Sequence, residues 1–466
     1  MCCRIFVAFL VLALALSMTN LGDARKVSTV VTRHDSVLAW TTMLQSLSPD
    51  WLRNVDYCQA PVGRAEETEP IPDGFRLRTV EAVLRHGDRV PTSGPVHVND
   101  DVVWNCTLAT LTHPTELSNN NSESGAVEAA PTRLYRKRYL PGRELLPGNC
   151  LFGQLTTRGA QQHRRLGEHY RSLYVDKYGL LPPQLDARLL YVRSTDVSRT
   201  LQSAQENLLG LYPVTPASTP GLIRYVDLHT MDDNMDNMTP NSNLCPELEN
   251  VWADLKNQEP WKVFLNVTKP INEAIAATGL FNGDPAQVDL DWFGDTCDAR
   301  ICHGKPLPPG ISDALFLKAW IADQWENNYL YGNVAITNWT IGSFVQELVL
   351  RLDQFVDAPS DAARAQQPRF SLYSGHDSTL IPLTSALGLT LTNSALWPPY
   401  ASHVELELWS DAQDQFYVRT LYNGLAYQVP SCTDEVGHHF CPYAQWRQYV
   451  AASFPIDYAQ RCHRTE

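Results

Sequence analysis

Residues 85–91 read RHGDRVP and set two guanidinium groups on either side of an imidazole. Arg85 and Arg89 are planar, bidentate donors suited to a phosphoryl group. His86, between them, is placed to attack that group. A chance match to R-H-G-x-R-x-P in a chain this long is on the order of 10⁻⁴. A second segment, RSTDVSRT at 193–200, sets Arg193 where a strand pattern gives way to a helix whose N-terminus favours anions. A third, YSGHDSTL at 373–380, sets His376 and Asp377 at the same kind of junction. Each segment alone has a structural explanation. Arg193 could pair with Asp196, Thr195 or Ser198 could cap a helix, and His376 could be a hydrogen-bonded core residue. Three strand ends that all carry phosphate-suited groups are hard to explain by packing.

The chemistry these residues suggest needs no metal. His86, Asp88, His376 and Asp377 have ligand side chains, but the adjacent arginines would repel a cation and match an oxyanion instead. Asp88 reads as a partner of an arginine rather than a catalyst. No G-x-x-x-x-G-K-[ST] loop and no H-E-x-x-H pair occurs. No cofactor is expected.

The elements around the motifs predict an α/β fold with a central, mostly parallel sheet flanked by helices. Residues 75–84 form a strand pattern ending at the RHG turn, where open α/β sheets bind ligands. A helix pattern starts near Thr156, with Leu166, Tyr170, Leu173 and Tyr174 at helical spacing. Residues 189–193 read as a strand and 198–209 as a helix. The pattern repeats with a strand at 370–374 and a helix at 377–387. Residues 404–409 and 417–421 alternate in polarity and predict an antiparallel pair. Between these blocks, 220–365 read as an inserted, mainly helical domain, with amphipathic stretches such as 312–328. The core is therefore expected at 75–219 and 366–430, with 92–150 as a surface excursion. Residues 25–74 read as an N-terminal arm and 431–466 as a cysteine-containing tail.

The 466 residues carry a formal net charge of −14, which argues against a nucleic-acid or anionic-membrane partner. Any anion site must then be built from local arginines. Residues 1–24 predict a signal peptide or short signal anchor, since a 14-residue apolar run follows Arg4 and small residues follow the run. That anchor is the only membrane contact expected. Both readings place the remainder in the secretory lumen. Nine scattered cysteines follow Cys2 and Cys3, with no C-x-x-C pair, so disulfides are expected and the odd count leaves a free thiol. Sequons at Asn105, Asn120, Asn237, Asn266 and Asn338 agree with that compartment.

RHGxRxP, RSTDxxRT and the later His376-Asp377 pair resemble the signature of the histidine acid phosphatases, and the likeness runs from about Gly74 to Asn423. SALGL at 385–389 and RTLYNG at 419–424 also look familial. The resemblance implies phosphomonoester hydrolysis through a phosphohistidine. His86 would be the nucleophile and Asp377 the proton donor; Arg85, Arg89, Arg193 and His376 would hold the phosphoryl oxygens. Outside the core, Tyr57-Cys58, the CTL at 106–108 and the run from Cys150 resemble the Golgi 2-phosphoxylose phosphatases. So do Cys297 with Cys302, Cys441-Pro442 and the CHR at 462–464. This second likeness implies removal of the 2-phosphate of xylose in the glycosaminoglycan–protein linkage, in the Golgi. The chain departs from that subfamily by keeping RSTD at Arg193, as general acid phosphatases do. A general lysosomal or secreted acid phosphatase is therefore the alternative. A non-catalytic phosphate- or glycan-binding protein on the same scaffold is the alternative from another class.

Overall fold

Thr79 to Arg85 are buried without a break, so the first strand runs through the middle of a sheet rather than along its edge. The computed structural model describes residues 57–63, 70–92, 148–213, 226–389, 397–430, 432–433, 436–453 and 458–462, with short pieces between 102 and 146 and at 222–224. The expected signal segment, most of the expected arm and excursion, and the sequons at Asn105 and Asn120 lie outside the described residues.

The strands of the main sheet are β1 (Arg76–Arg85), β2 (Leu190–Ser194), β3 (Leu228–His229), β4 (Phe370–Gly375), β5 (His403–Ser410), β6 (Phe416–Tyr422), β7 (Leu425–Tyr427) and β8 (Phe440–Pro442). Their order is β7-β6-β5-β1-β4-β2-β3, and β8 pairs with β6. The pairs β1–β4, β4–β2 and β2–β3 are parallel. The pairs made by β5 to β8 are antiparallel. The parallel strands thus sit on one side of β1 and carry all three motifs on the same edge.

Nine helices matter for the argument: α1 (Thr157–Tyr170), α2 (Ser198–Leu211), α3 (Glu247–Lys256), α4 (Glu259–Ala276), α5 (Leu290–Cys302), α6 (Asp313–Leu330), α7 (Gly342–Val356), α8 (Asp377–Ala386) and α9 (Tyr443–Val450). Leu166 and Tyr170 of α1 and Leu211 of α2 pack on Val80, Ala82 and Leu84 on one face of the sheet. Phe344 and Leu348 of α7 and Leu380 and Leu383 of α8 pack with Val83, Tyr373 and Leu406 on the other. A separate cluster joins α4, α5 and α6 through Trp261, Phe264, Phe293, Phe316 and Trp320, and also takes in Tyr57 and Tyr400. Among the described residues no helix is long and apolar enough to cross a membrane.

Two expectations about polarity fail for the same reason. Strand β5 is buried at every position, so the alternating Glu405 and Glu407 do not face water. Instead Tyr170 Oη donates to Glu405 at 2.5 Å and Tyr174 Oη to Glu407 at 3.1 Å. Helix α6 is not amphipathic: Asp323, Gln324 and Asn327 are buried with its apolar residues. In both places buried polar partners replace solvent, as buried polar groups require.

Four disulfides form: Cys58–Cys302, Cys106–Cys150, Cys245–Cys462 and Cys432–Cys441. Cys297 is buried and free. Cys245–Cys462 fastens the tail to the turn before α3, and Cys432–Cys441 closes a loop within the tail.

Candidate active site

The parallel strands bring the motifs together. Arg85, the last residue of β1, is level with Gly375, the last residue of β4. His86 N donates to Gly375 O at 2.9 Å, which binds the RHG turn to the turn carrying His376 and Asp377. The glycine of RHG is required by a close approach. A Cβ on Gly87 would lie 2.4 Å from Gly159 O, so the turn can rest on the first turn of α1 only without a side chain.

His86 is 1% exposed. Burial, followed by the Arg199, Arg85 and Arg89 charges, holds its imidazole well below its usual pKa. The ring is therefore neutral. Its Nδ1 lies 2.8 Å from Gly87 O, a carbonyl that can only accept, so Nδ1 carries the proton and Nε2 a lone pair. A nucleophile needs that tautomer.

Of the arginines expected to hold a phosphoryl group, the structure brings Arg85 and Arg89 to the site and not Arg193. Arg85 Nη2 pairs with Asp377 Oδ2 at 2.7 Å, and its guanidinium lies 4.5 Å from the Tyr400 ring centroid. Arg89 Nη1 pairs with Asp295 Oδ1. Arg193 instead donates to Asp236 at 2.9 Å and Asn237 at 2.6 Å, and pairs with Glu347. The reason is register. Arg193 is level with Tyr373 and so with Val83, two residues short of the rung that holds Arg85. That places it about 6–7 Å down the strand. Arg199, in the first turn of α2, lines the cavity in its place. The repeated arginine of RSTDVSRT was the available signal, and helix periodicity after the strand end points the second arginine back over the site.

His376 Nε2 lies 2.9 Å from Thr195 Oγ1, and Arg199 Nη2 lies 3.3 Å from His376 Nδ1. Burial and then the Arg199 charge push the His376 pKa down to about 3. The neutral ring thus accepts from Arg199 at Nδ1 and donates a hydrogen bond from Nε2 to Thr195 Oγ1, which aims the arginine. Thr195 serves this bond and does not cap α2. For Asp377, burial acts upward, but Arg85 and then Arg89 outweigh it and hold the carboxyl below its usual range. Asp88 has no arginine partner, contrary to expectation. It accepts from Thr156 Oγ1 at 2.5 Å and meets His303 Nε2 at 2.6 Å, which fastens the turn to α1 and to the end of α5.

The cavity, of about 380 Å³, is closed on the other side by carboxyls that sequence patterns did not single out. Asp295 Oδ2 accepts from Thr92 N at 2.7 Å and Thr92 Oγ1 at 2.8 Å while its other oxygen holds Arg89. Asp291, Asp298 and Asp323 also line the cavity. Burial and neighbouring carboxylates push Asp298 and Asp323 well above the usual carboxyl range. Among the described residues no cluster fits a metal ion. His86 itself stands behind the lining, its ring centroid 5.5 Å from that of His376.

Comparison with known proteins agrees with this geometry. The chain is 36% identical over 416 residues to Counting factor 60 of Dictyostelium discoideum, covering 87% of this chain and 92% of the relative. It is 26% identical both to lysophosphatidic acid phosphatase type 6 of Mus musculus, over 89% of this chain and 96% of the relative, and to 2-phosphoxylose phosphatase 1 of Xenopus tropicalis, over 90% and 84%. In fold it resembles the apo form of Hafnia alvei phytase, with a TM-score of 0.56 at 15% identity, covering 85% of this chain and all of that one. The profile of the Histidine phosphatase superfamily (branch 2) matches residues 76–423, the span that holds every residue of the site from Arg85 to Asp377. The chain is a phosphatase belonging to that family.

Proposed function

We propose that the protein hydrolyses phosphomonoesters through a phosphohistidine on His86. The observation that carries this reading is the neutral, buried His86 with its proton fixed on Nδ1, beside Arg85, Arg89 and Arg199. His86 Nε2 attacks phosphorus, the ester P–O bond breaks, and Asp377 gives its proton to the leaving alkoxide. Water then attacks phosphorus, the P–N bond breaks with its electron pair returning to His86 Nε2, Asp377 takes the water's proton, and phosphate leaves. The three arginines stabilise the equatorial oxygens through a loose transition state, with His376 holding Arg199 in direction.

Asp377 must be protonated for the first step, yet Arg85 holds its carboxyl below the usual range. A bound phosphoryl dianion resolves this conflict. It takes over Arg85 and sets negative charge beside Asp377, and both effects raise the carboxyl. An acid optimum follows; a rate rising steadily from pH 5 to pH 9 would count against it.

The substrate reading is the 2-phosphate of xylose in a glycosaminoglycan–protein linkage. The likeness to 2-phosphoxylose phosphatase supports it, and so does the cavity. Apart from Val197, Pro240 and three aromatic rings, every described lining side chain is polar or charged. That suits a sugar better than the acyl chain of a lysophosphatidic acid. Four disulfides fit a luminal enzyme, Golgi by the same reading.

The test is label retention after a rapid alkaline quench with a ³²P-labelled phosphomonoester. Wild type is expected to retain label and His86→Ala to lose it. A wild type that retains none with any ester breaks the enzymatic reading, and retention by His86→Ala moves the nucleophile elsewhere.

A further inference from the structure

The cavity's cations and most of its carboxyls come from different elements, Asp233 and Asp377 excepted. Its lining cations among the described residues are Arg85, Arg89 and Arg199, all delivered by the sheet's strand ends. Opposite them, Asp291, Asp295 and Asp298 recur at i, i+4 and i+7, which is one face of α5, and Asp323 joins from α6. Asp295 is committed to Arg89 and Thr92. Asp298 and Asp323 have neutral partners: Trp320 Nε1 donates to Asp298 at 3.2 Å and Asn327 Nδ2 to Asp323 at 2.8 Å. Four donors on described lining residues have no partner: Nε of Arg85, Arg89 and Arg199, and Nε1 of Trp397. The cavity is thus arranged around a ligand that brings acceptors to one side and donors to the other.

Three arginines are enough for the oxygens of one phosphoryl group. A second phosphate would lose its hydration and find no further cation among the described lining residues. This holds in either protonation state, because a neutral carboxyl gives an anion no counter-charge. A hydroxyl, by contrast, finds an acceptor in both states. Tyr57, Tyr331 and Trp397 line the same space and offer apolar faces to a sugar ring.

We propose that Asp291, Asp298 and Asp323 are the specificity-determining residues: they hydrogen-bond the hydroxyls of a sugar or polyol that carries one phosphate, and they exclude esters with a second anion. This rests on the phosphatase reading above and adds which esters are taken and which residues decide it.

The experiment compares kcat/KM of the whole protein on glucose 6-phosphate, glucose 1,6-bisphosphate and 4-nitrophenyl phosphate. Wild type should favour the monophosphate over the bisphosphate by roughly tenfold or more, since an anion stripped of water with no counter-charge costs at least about that much. Asp291→Arg, at an exposed position of α5, should narrow this gap by about tenfold by giving the second anion a partner. Asp298→Ala should lower the preference for glucose 6-phosphate over the aryl ester. Equal wild-type efficiency on the two sugar esters overturns the proposal and leaves the phosphatase reading standing. An unchanged ratio in Asp291→Arg overturns it too, because the selectivity then has another source. No turnover of any of the three esters sinks both.

Discussion

The sheet's strand ends and the helices of 247–356 supply one cavity with opposite kinds of residue. The strand ends bring the nucleophile, the cations and the proton donor; α5 and α6 bring carboxyls and a tyrosine. The first set is held by backbone register, as in the bond between His86 N and Gly375 O. The second is held by side-chain ties: Asp295 to Arg89 and Thr92, His303 to Asp88, and the Cys58–Cys302 disulfide. Reaction and selectivity can thus vary separately, because they rest on different elements.

The sharpest way to break this comparison is to exchange the two arginines of RSTDVSRT in experiment. Arg199→Ala removes a cavity donor and should cost 10²–10³ in kcat/KM, about 3–4 kcal/mol of barrier. Arg193→Ala should leave kcat/KM within a few-fold. It should instead destabilise the fold by about 3 kcal/mol, because Asp236 loses its partner while buried. Steady-state kinetics and thermal unfolding of both variants give the answer. A catalytic loss in Arg193→Ala with stability unchanged would return that residue to the site.

That pair also marks how far the sequence could be read. Arg85, His86, Arg89, His376 and Asp377 were legible because each lies at or just beyond the end of a strand. Choosing between Arg193 and Arg199 was not, because it depends on which rung of β2 faces which rung of β1. Asp291, Asp295 and Asp298 were not legible either. Their spacing is that of an ordinary solvated helix face, and only packing turns that face toward the arginines. Glu405 and Glu407 misled for the opposite reason. They alternate like solvent-facing residues, but Tyr170 and Tyr174 of the helical layer cover them.

A second comparison sets a core carboxyl against a cavity carboxyl. Glu81, buried in β1, accepts from Tyr373 Oη at 2.9 Å and is pushed by burial from 4.5 up to about 7. Below pH 4.5 folded and unfolded chains hold this proton alike. Between 4.5 and about 7 only the folded chain keeps it, so stability falls as pH rises, by on the order of 3 kcal/mol in all. Asp377 has the opposite sign. Its carboxyl is depressed, so its contribution is present above the unfolded value and is lost as pH falls through the folded one. His86 and His376 share the sign of Asp377, because rings held neutral in the fold contribute less as pH falls below the unfolded histidine value. Melting temperatures of wild type and Glu81→Gln at pH 5 and pH 7.5 test the Glu81 contribution: the variant should gain on wild type as pH rises from 5 to 7.5. An equal slope in Glu81→Gln would place the titration elsewhere.

Asp295 is where the two regions meet, and its effect should be the smallest and the most diagnostic. One oxygen holds Arg89 and the other holds the backbone and hydroxyl of Thr92, so the carboxylate sets the angle of the arginine rather than binding substrate. In Asp295→Ala, Arg89 keeps its charge and loses its direction. Attraction for the phosphate survives, so KM should not rise. Alignment in the transition state suffers, so kcat should fall by about tenfold, on the order of 1.4 kcal/mol. Asp295→Asn retains one acceptor and should recover much of kcat if that acceptor stays on Arg89. A rise in KM with kcat intact would mean that Asp295 touches the substrate, and the division between strand ends that react and helices that position would fail at that residue.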